Sequence, residues 1–355
     1  MKKKSFFTSY LFLIFLLIGN MQIVAQEPTT ILGLSQMVSL AISNNLELQK
    51  VNYQLQNTTL EVQRMEAENL LTESTIADLQ KEITLLNQQS QFQAEKDQLF
   101  IQVVDYYFQL LMAEKDIDSK KENVELEETV LKDVEKKVAT GYSIDLDLLQ
   151  QGNEYYDALF SYQESVLDYQ QLIIETKNAL GIPRDQTIKL TKLSIPRFSE
   201  VDLTEAITLA RENSFTLQSQ EIRMDQILKE LEKSKVNGYS EIEIQELENE
   251  RSIAGLEKSL TLQNLDYQVE TQWLNYNQAK NDIALSQKNL EQMKENELMI
   301  RRQVQAGLRT EEEALSSVIG VLDAESRLIS SVRQVYQAFL ELQRLMGTLD
   351  EGVLP

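Results

Sequence analysis

The sequence contains no cysteine and no histidine, and among its 355 residues there are only 4 prolines and 11 glycines. Each scarcity excludes something. Without Cys or His there is no thiolate nucleophile, no Ser-His-Asp arrangement and no ordinary zinc site. Structural disulfides and lipidation through an N-terminal cysteine are excluded as well. With so few turn residues, a β-rich or α/β domain has nowhere to reverse direction. From Ile42 to Thr140 there is not one Gly or Pro. Basic residues are also short, 34 against 56 acidic ones, for a formal charge of −22. That balance opposes nucleic-acid binding, which needs a basic patch to displace counterions. Carboxylate pairs remain available for acid-base chemistry, but on so acidic a chain most are solvated helix faces. The sequence therefore reads as a long-helix protein with no catalytic, cofactor-binding or metal-ligating constellation.

The first 25 residues are of another kind. Lys2, Lys3 and Lys4 form a positive start, Phe6 to Leu17 an apolar run, and Ile23-Val24-Ala25 a small-residue cleavage site before Gln26. Asn20 and Gln22 interrupt the run before it reaches the roughly 20 apolar residues of a membrane anchor. The segment reads as a secretory signal. Its removal takes three lysines and no acids, moving the charge from −22 to −25.

What remains is organised by an internal repeat. Leu34-Ser-Gln-Met-Val-Ser-Leu40-Ala41, with Asn44 and Leu48-Gln49, matches Leu203-Thr-Glu-Ala-Ile-Thr-Leu209-Ala210, with Asn213 and Leu217-Gln218, at an offset of 169. Further on, Val103 matches Val269, Gly141 matches Gly307, and Leu180-Gly181 matches Met346-Gly347, all at 166. A tandem duplication with one net three-residue deletion accounts for both offsets. The predicted organisation is a signal over 1–25, a helical repeat over 26–183, a connector over 184–201, a second repeat over 202–347 and a tail over 348–355.

Within each repeat the period is helical. Val103, Leu110, Ile117, Val124, Leu131 and Val138 fall at seven-residue intervals, as do Val269, Tyr276, Ile283, Leu290, Glu297 and Val304 with one polar exception. Sustained heptads keep one stripe facing a partner helix, so the expectation is coiled-coil hairpins. A short helix is predicted from Leu34, with Ser35 as cap, to Asn44-Asn45. A longer one follows to the Leu70–Ser74 region, where Thr72 and Ser74 mark a bend. A third runs to Ala139, and beyond Gly141 a returning helix, capped by Ser143 or Asp145, ends at Leu180-Gly181. The second repeat follows the same plan, with a turn at Asn237-Gly238, a break at Gly307, a cap at Thr310 and an end at Gly347. Ser240-Glu-Ile-Glu-Ile-Gln245 alternates like a strand, but briefly.

These residues resemble the TolC-type outer-membrane efflux family. The resemblance rests on the paired opening motifs Leu34–Gln49 and Leu203–Gln218 and on the aromatic clusters Asp105–Phe108 and Gln272–Tyr276, taken as helix starts. The Gly-centred hairpin tips and the Leu-Gly-Ile-Pro ending support it. It implies a homotrimer of helical hairpins closing into a hollow cylinder in the cell envelope, at the outer membrane or in the periplasm. Such a cylinder works with a periplasmic adaptor (a membrane fusion protein) and an inner-membrane pump. It also implies that the adaptor meets the tips, here Gly141, Tyr142 and Ser143 of the first hairpin and Gly307, Leu308, Arg309 and Thr310 of the second. The second tip resembles the family's Val-Gly-Leu-Thr/Ala contact motif with Arg309 inserted; the first has Tyr142 where Leu is usual. Asp145, Asp147, Glu311, Glu312 and Glu313 follow the tips. In a trimer they form an acidic iris, or they are simply N-terminal helix charge, which suffices for most of them.

One departure from the family is large. The resemblance implies two β-strands in each repeat, forming a barrel through the outer membrane, yet nothing between Leu48 and Val103 alternates over the ~10 residues such strands need. The expected fold is all-α, with the barrel segments absent or vestigial. Two functions compete: a trimeric export conduit for small molecules or proteins, or a non-transporting periplasmic coiled-coil scaffold resembling an adaptor. A mere rod has no need of two matching opening motifs and two matching tips, which favours the conduit.

Overall fold

The computed structural model describes residues 29–69, 74–191, 195 and 198–354. The signal over 1–25, the bend residue Thr72 and the connector's Pro196 lie outside the described residues.

The chain begins with strand β1, Thr29–Leu32, and helices α1, Leu34–Asn44, and α2, Leu46–Asn69. Helix α3, Thr75–Ala139, and helix α4, Asp145–Leu180, form the first long hairpin. After strand β2, Thr187–Leu190, come α5, Leu203–Asn213, α6, Phe215–Asn237, α7, Glu241–Gln305, and α8, Glu311–Leu345. Helices α3 and α7 each contain 65 residues, roughly 98 Å at 1.5 Å per residue. No helix among the described residues is long and apolar enough to cross a membrane.

The helices form a layer four rods wide. Helix α2 begins where α4 ends: the Asn45 side-chain amide donates to the Ala179 carbonyl at 3.2 Å, and the two helices follow one another along the flank of α3. In the same way α6 begins where α8 ends, with the Asn213 amide donating to the Met346 carbonyl at 2.8 Å. The rods, in order across the layer, are α4 with α2, then α3, then α8 with α6, then α7. Left-handed glycines end the jointed rods, Gly181 at φ 62° and Gly347 at φ 67°.

One face of the layer carries a belt made of α1, α5, β1, β2 and the connector. Helix α1 packs on α3 and α5 on α7. Phe198 of the connector meets the rings of Tyr276, Tyr336 and Phe339, and the Trp273 and Tyr276 side chains donate to the carbonyls of Val201 and Ser199 at 2.8 and 2.7 Å. The core is concentrated here, around Met37, Phe100, Val103, Phe108, Tyr276 and Leu340. Asp105–Phe108 and Gln272–Tyr276 therefore sit in mid-helix at the level of the belt, with Trp273 and Tyr276 turned to it, and not at helix starts. Below Ser119 no residue of α3 is fully buried, so the heptads continue toward the tips with their seam only half covered.

Several local expectations change. Gly33 rather than Ser35 caps α1, its amide donating to the Gln36 side chain at 2.9 Å. The residue before α4 is Ile144, and Asp147 reaches back to accept from its amide at 3.2 Å, so neither Ser143 nor Asp145 is the cap. The Ser240–Gln245 stretch is the start of α7, closed by a Ser240–Glu243 capping box. The connector contains β2, paired in parallel with β1 from Thr29↔Thr187 to Leu32↔Leu190. The expected bend near Ser74 is the N-terminus of α3, with the Ser74 hydroxyl accepting from the Ala77 amide at 3.3 Å.

The missing barrel is a matter of chain length. Only residues 70–74 join α2 to α3, and only 238–240 join α6 to α7. A strand crossing a bilayer needs about 9–11 residues, and a hairpin of two needs twice that. Neither link has room for one.

A buried carboxylate in α3 gives a stability test. Asp97 is almost fully enclosed and accepts from the Gln93 amide at 2.7 Å. Burial pushes its pKa up to about 6, with the Gln93 hydrogen bond and the nearby Arg344 pulling only partly the other way. The folded state thus holds this proton more tightly than the unfolded chain, where an aspartate titrates near ~3.9. The resulting penalty is absent below about pH 4 and fully developed above about pH 6. Asp97→Asn is expected to stabilise the protein by about 2 kcal/mol at pH 7.5 and by nothing at pH 4, as urea denaturation at the two pH values will show.

Candidate functional site

Two parts of the molecule bear on what it does: the lower hairpin tips and the edges of the layer. At the first tip the Tyr142 amide closes onto the Lys137 carbonyl at 2.8 Å, and at the second the Leu308 amide closes onto Gln303 at 2.8 Å. Gly141 and Gly307 take φ of 77° and 70°, and no atom lies within 4 Å of where a Cβ would stand. These turns present their apolar residues outward: Tyr142 is 87% exposed and Leu308 75%.

The polar tip residues divide by task. The Thr310 hydroxyl accepts from the Glu313 amide at 3.3 Å while the Glu313 carboxylate accepts from the Thr310 amide at 3.0 Å, so the predicted cap at Thr310 is a full capping box. Arg309 spans from the Gln303 side chain to Glu313, at 2.6 Å to each, and ties the second tip to itself. Asp147 accepts from the Ser143 hydroxyl and the Ile144 amide, bonds that hold its carboxyl below the usual carboxylate range. Asp147 and Glu313 are thus committed to ending turns, whereas Asp145, Glu311 and Glu312 stay in the first helical turns without such duty. The two tips are neighbours: Glu312 of the second is close enough to raise the Lys137 pKa, after the larger effect of Asp133.

Between the hairpins, just above the tips, lies a groove of about 520 Å³ walled by Leu126 and Val130 of α3 and by Met293 and Ile300 of α7, with Arg309, Glu312 and Gly320 along its rim. Leu126 and Val130 lie beside the heptad positions Val124 and Leu131 and not on them, so the sequence pattern does not single out this groove.

The edges are the second feature. One is the α4–α2 rod, the other α7, and α4 and α7 have no substantial contact with each other within the chain. Apart from Val236 at the end of α6, the large exposed apolar side chains of the helices gather on these edges. Helix α4 carries Leu146, Leu149, Tyr156, Phe160, Leu167 and Ile174; α2 continues the line with Leu46, Tyr53 and Leu60; α7 carries Ile253, Leu260, Tyr267 and Leu274. The central helices α3 and α8 have none among the described residues. The edge residues recur mostly at three-, four- and seven-residue intervals, the spacing of a coiled-coil seam lacking its second helix.

Between the rods the layer is held by polar cross-links. Arg333 of α8 donates to Asp105 of α3 at 2.5 and 3.1 Å, with the Gln337 amide on the same carboxylate at 2.7 Å. Lower down, Glu325 of α8 accepts from Lys115 of α3 and Lys294 of α7, both at 3.0 Å. Among the described residues no group of three Cys, His, Asp or Glu side chains is placed to hold a metal ion.

The fold has known counterparts. The solved outer-membrane channel OprN superposes with a TM-score of 0.64, covering 89% of this chain and 90% of the channel at 12% identity. The outer membrane protein VceC of Vibrio cholerae gives 0.64 over 88% and 96% at 10% identity. The Campylobacter jejuni CmeC outer membrane channel gives 0.63 over 90% and 87% at 11% identity. At the level of sequence, no family model and no curated protein matches. The chain has the fold of TolC-type outer-membrane channels, in a form whose described residues are helical where the barrel strands would lie.

Proposed function

We propose that three copies of this chain close edge to edge into a hollow helical cylinder, the conduit of an envelope export assembly whose lower tips dock on a periplasmic adaptor and, through it, on an inner-membrane pump. The observation that carries this reading is the confinement of unpartnered apolar heptads to the two edges of a four-rod layer. A scaffold built of a single rod would bury such stripes within itself. A layer that must meet a copy of itself leaves them on opposite edges, so that α7 of one protomer faces α4 and α2 of the next. This is a head-to-tail contact, which closes into a ring. The number three, the adaptor and the pump come from the likeness to TolC-type channels. The belt thickens one face of each protomer and so belongs on the outside of the cylinder, leaving the opposite face to line the lumen.

The mass in solution of residues 26–355 tests the ring. A discrete trimer in detergent-free buffer is expected; a monomer or dimer at every concentration would sink the conduit. It would leave a non-transporting periplasmic scaffold, the reading that the short links at 70–74 and 238–240 favour.

The tips have their own test. The chain has no cysteine, so a single one introduced at Tyr142 or Leu308 is an unambiguous reporter. Cross-linking from either position in cells is expected to capture a periplasmic adaptor, whereas the same probe at Gly152, a helical position away from the turns, captures none. Equal capture from all three would remove the tips from the docking role.

A further inference from the structure

The face turned away from the belt carries a second groove, of about 500 Å³, roughly midway along the long helices. Helix α8 forms its floor, and α3 and α7 its walls. On α8, Tyr336 and Phe339 turn to the belt, so Gln334 and Glu341, displaced from Tyr336 by about 160° and 140° at 100° per residue, turn to the opposite side. Five amide side chains line the groove, Gln272, Asn275, Gln278, Gln334 and Gln337, together with the carboxylates of Asp282 and Glu341.

The partners of these groups are unevenly distributed. Gln272 donates to the Ala338 carbonyl at 2.9 Å, Gln337 is committed to Asp105, and Glu341 is paired with Arg344 at 2.6 Å. Asp282 is half-buried and has no hydrogen-bond or ion-pair partner among the described residues, and Gln278 and Gln334, both exposed at the groove's mouth, are free of protein partners too. A half-enclosed carboxylate without a partner is available to pair with a cation from solution. Here the groove offers it only amides, each of which donates and accepts at once.

We propose that this groove is a binding site for hydrophilic cations bearing several hydroxyl groups, of the amino-sugar type. The ammonium pairs with Asp282, and the hydroxyls exchange hydrogen bonds with Gln278 and Gln334. A hydroxyl both donates and accepts, and an amide side chain can meet it in either role. The lining has no aromatic ring, so flat or greasy molecules find nothing to stack on. Its use as a waypoint for cargo rests on the conduit reading, since only in a closed ring does this face become the lumen. Binding does not rest on it, because a single protomer supplies every lining residue. A site on a transit path must also be weak enough to release its occupant.

The test is titration calorimetry of mature residues 26–355 with kanamycin at low ionic strength, with the protein's mass measured in the same buffer. Kanamycin is expected to bind in the roughly millimolar range. Asp282→Asn should weaken it about tenfold and Gln334→Leu about fivefold, in line with the loss of one charged and one neutral hydrogen bond. Both changes leave folded secondary structure intact by circular dichroism. No binding, or binding indifferent to both substitutions, overturns the site. So does spermidine binding as tightly as kanamycin and ignoring Gln334→Leu, since charge attraction alone would then account for it. A monomer that binds kanamycin through Asp282 keeps the site while removing the conduit.

Discussion

Gly181→Ala is expected to destabilise the fold by about 3 kcal/mol, and Gly347→Ala by a similar amount, although neither glycine touches a partner or a ligand. Both sit at left-handed φ, and a Cβ at Gly181 would stand 2.6 Å from the Asn44 carbonyl oxygen and 2.8 Å from its carbon. Those are backbone atoms held by α1 and α2, so the clash is relieved only by drawing the end of α4 away and losing the Asn45–Ala179 bond. At Gly347 the obstacle is the Asn213 Cβ at 2.6 Å, with the Asn213–Met346 bond at stake. The tip glycines provide the control. Gly141 and Gly307 share the backbone conformation, but a Cβ there meets nothing within 4 Å. Gly141→Ala and Gly307→Ala should therefore cost only about 1 kcal/mol, the conformational part alone. Urea denaturation of the four variants separates the cases. Equal losses at all four would mean that the joints are not tight, and the four-rod description would be wrong.

The largest effect on assembly is expected at the edges. Phe160 of α4 is 63% exposed in the protomer and lies in the middle of the unpartnered stripe. Phe160→Glu should leave the protomer as helical and as stable as before, because the side chain is already in water. In a closed ring the same change removes an aromatic anchor and places a carboxylate in an apolar seam, about 4 kcal/mol at each of the protomer contacts. That corresponds to association roughly 10³-fold weaker. Sedimentation should show the trimer replaced by monomer, with an unchanged circular dichroism spectrum. Leu260→Glu on α7 should do the same from the opposite edge. A trimer that survives both substitutions would mean that the seam is not made by these edges.

Much of the fold was legible in residue patterns, for identifiable reasons. The heptads from Val103 to Val138 and the Gly- and Pro-free run before Thr140 made long helices the simplest reading, and the stops read at Ala139, Leu180-Gly181 and Gly307 lie within two residues of the observed ends at Ala139, Leu180 and Gln305. Glycines at positive φ mark turns whatever surrounds them, so Gly141, Gly181, Gly238, Gly307 and Gly347 were all readable as stops. The shortness of the 70–74 and 238–240 links was equally plain, because a missing strand is a missing length. The belt was not legible. Strands β1 and β2 have four residues each and pair across more than 150 positions, so no local periodicity announces them. The repeat pairs Asn44 with Asn213, whereas the joint bonds are made by Asn45 and Asn213, so the motif marks the place of the joints but not the residues that fasten both of them. The stripe on α4 escaped because its residues look like any helix surface until its neighbours are known. Asp282 and the amides of the groove sit on a polar face, where sequence gives no hint that three rods turn them toward one another.

The jointed rods impose a rule on how such a molecule can change its length. Helices α3 and α7 run unbroken past the joints and both span 65 residues, while α4 and α8 return beside them over 36 and 35. Adding a single heptad to α3 below the joint would lower one tip by roughly 10 Å and leave the other behind. Keeping the tips level requires the same insertion in α3, α4, α7 and α8 together, in whole heptads so that each stripe keeps facing its neighbour. Reach can therefore be altered only in concerted steps, and single insertions are confined to the belt and to the short upper turns.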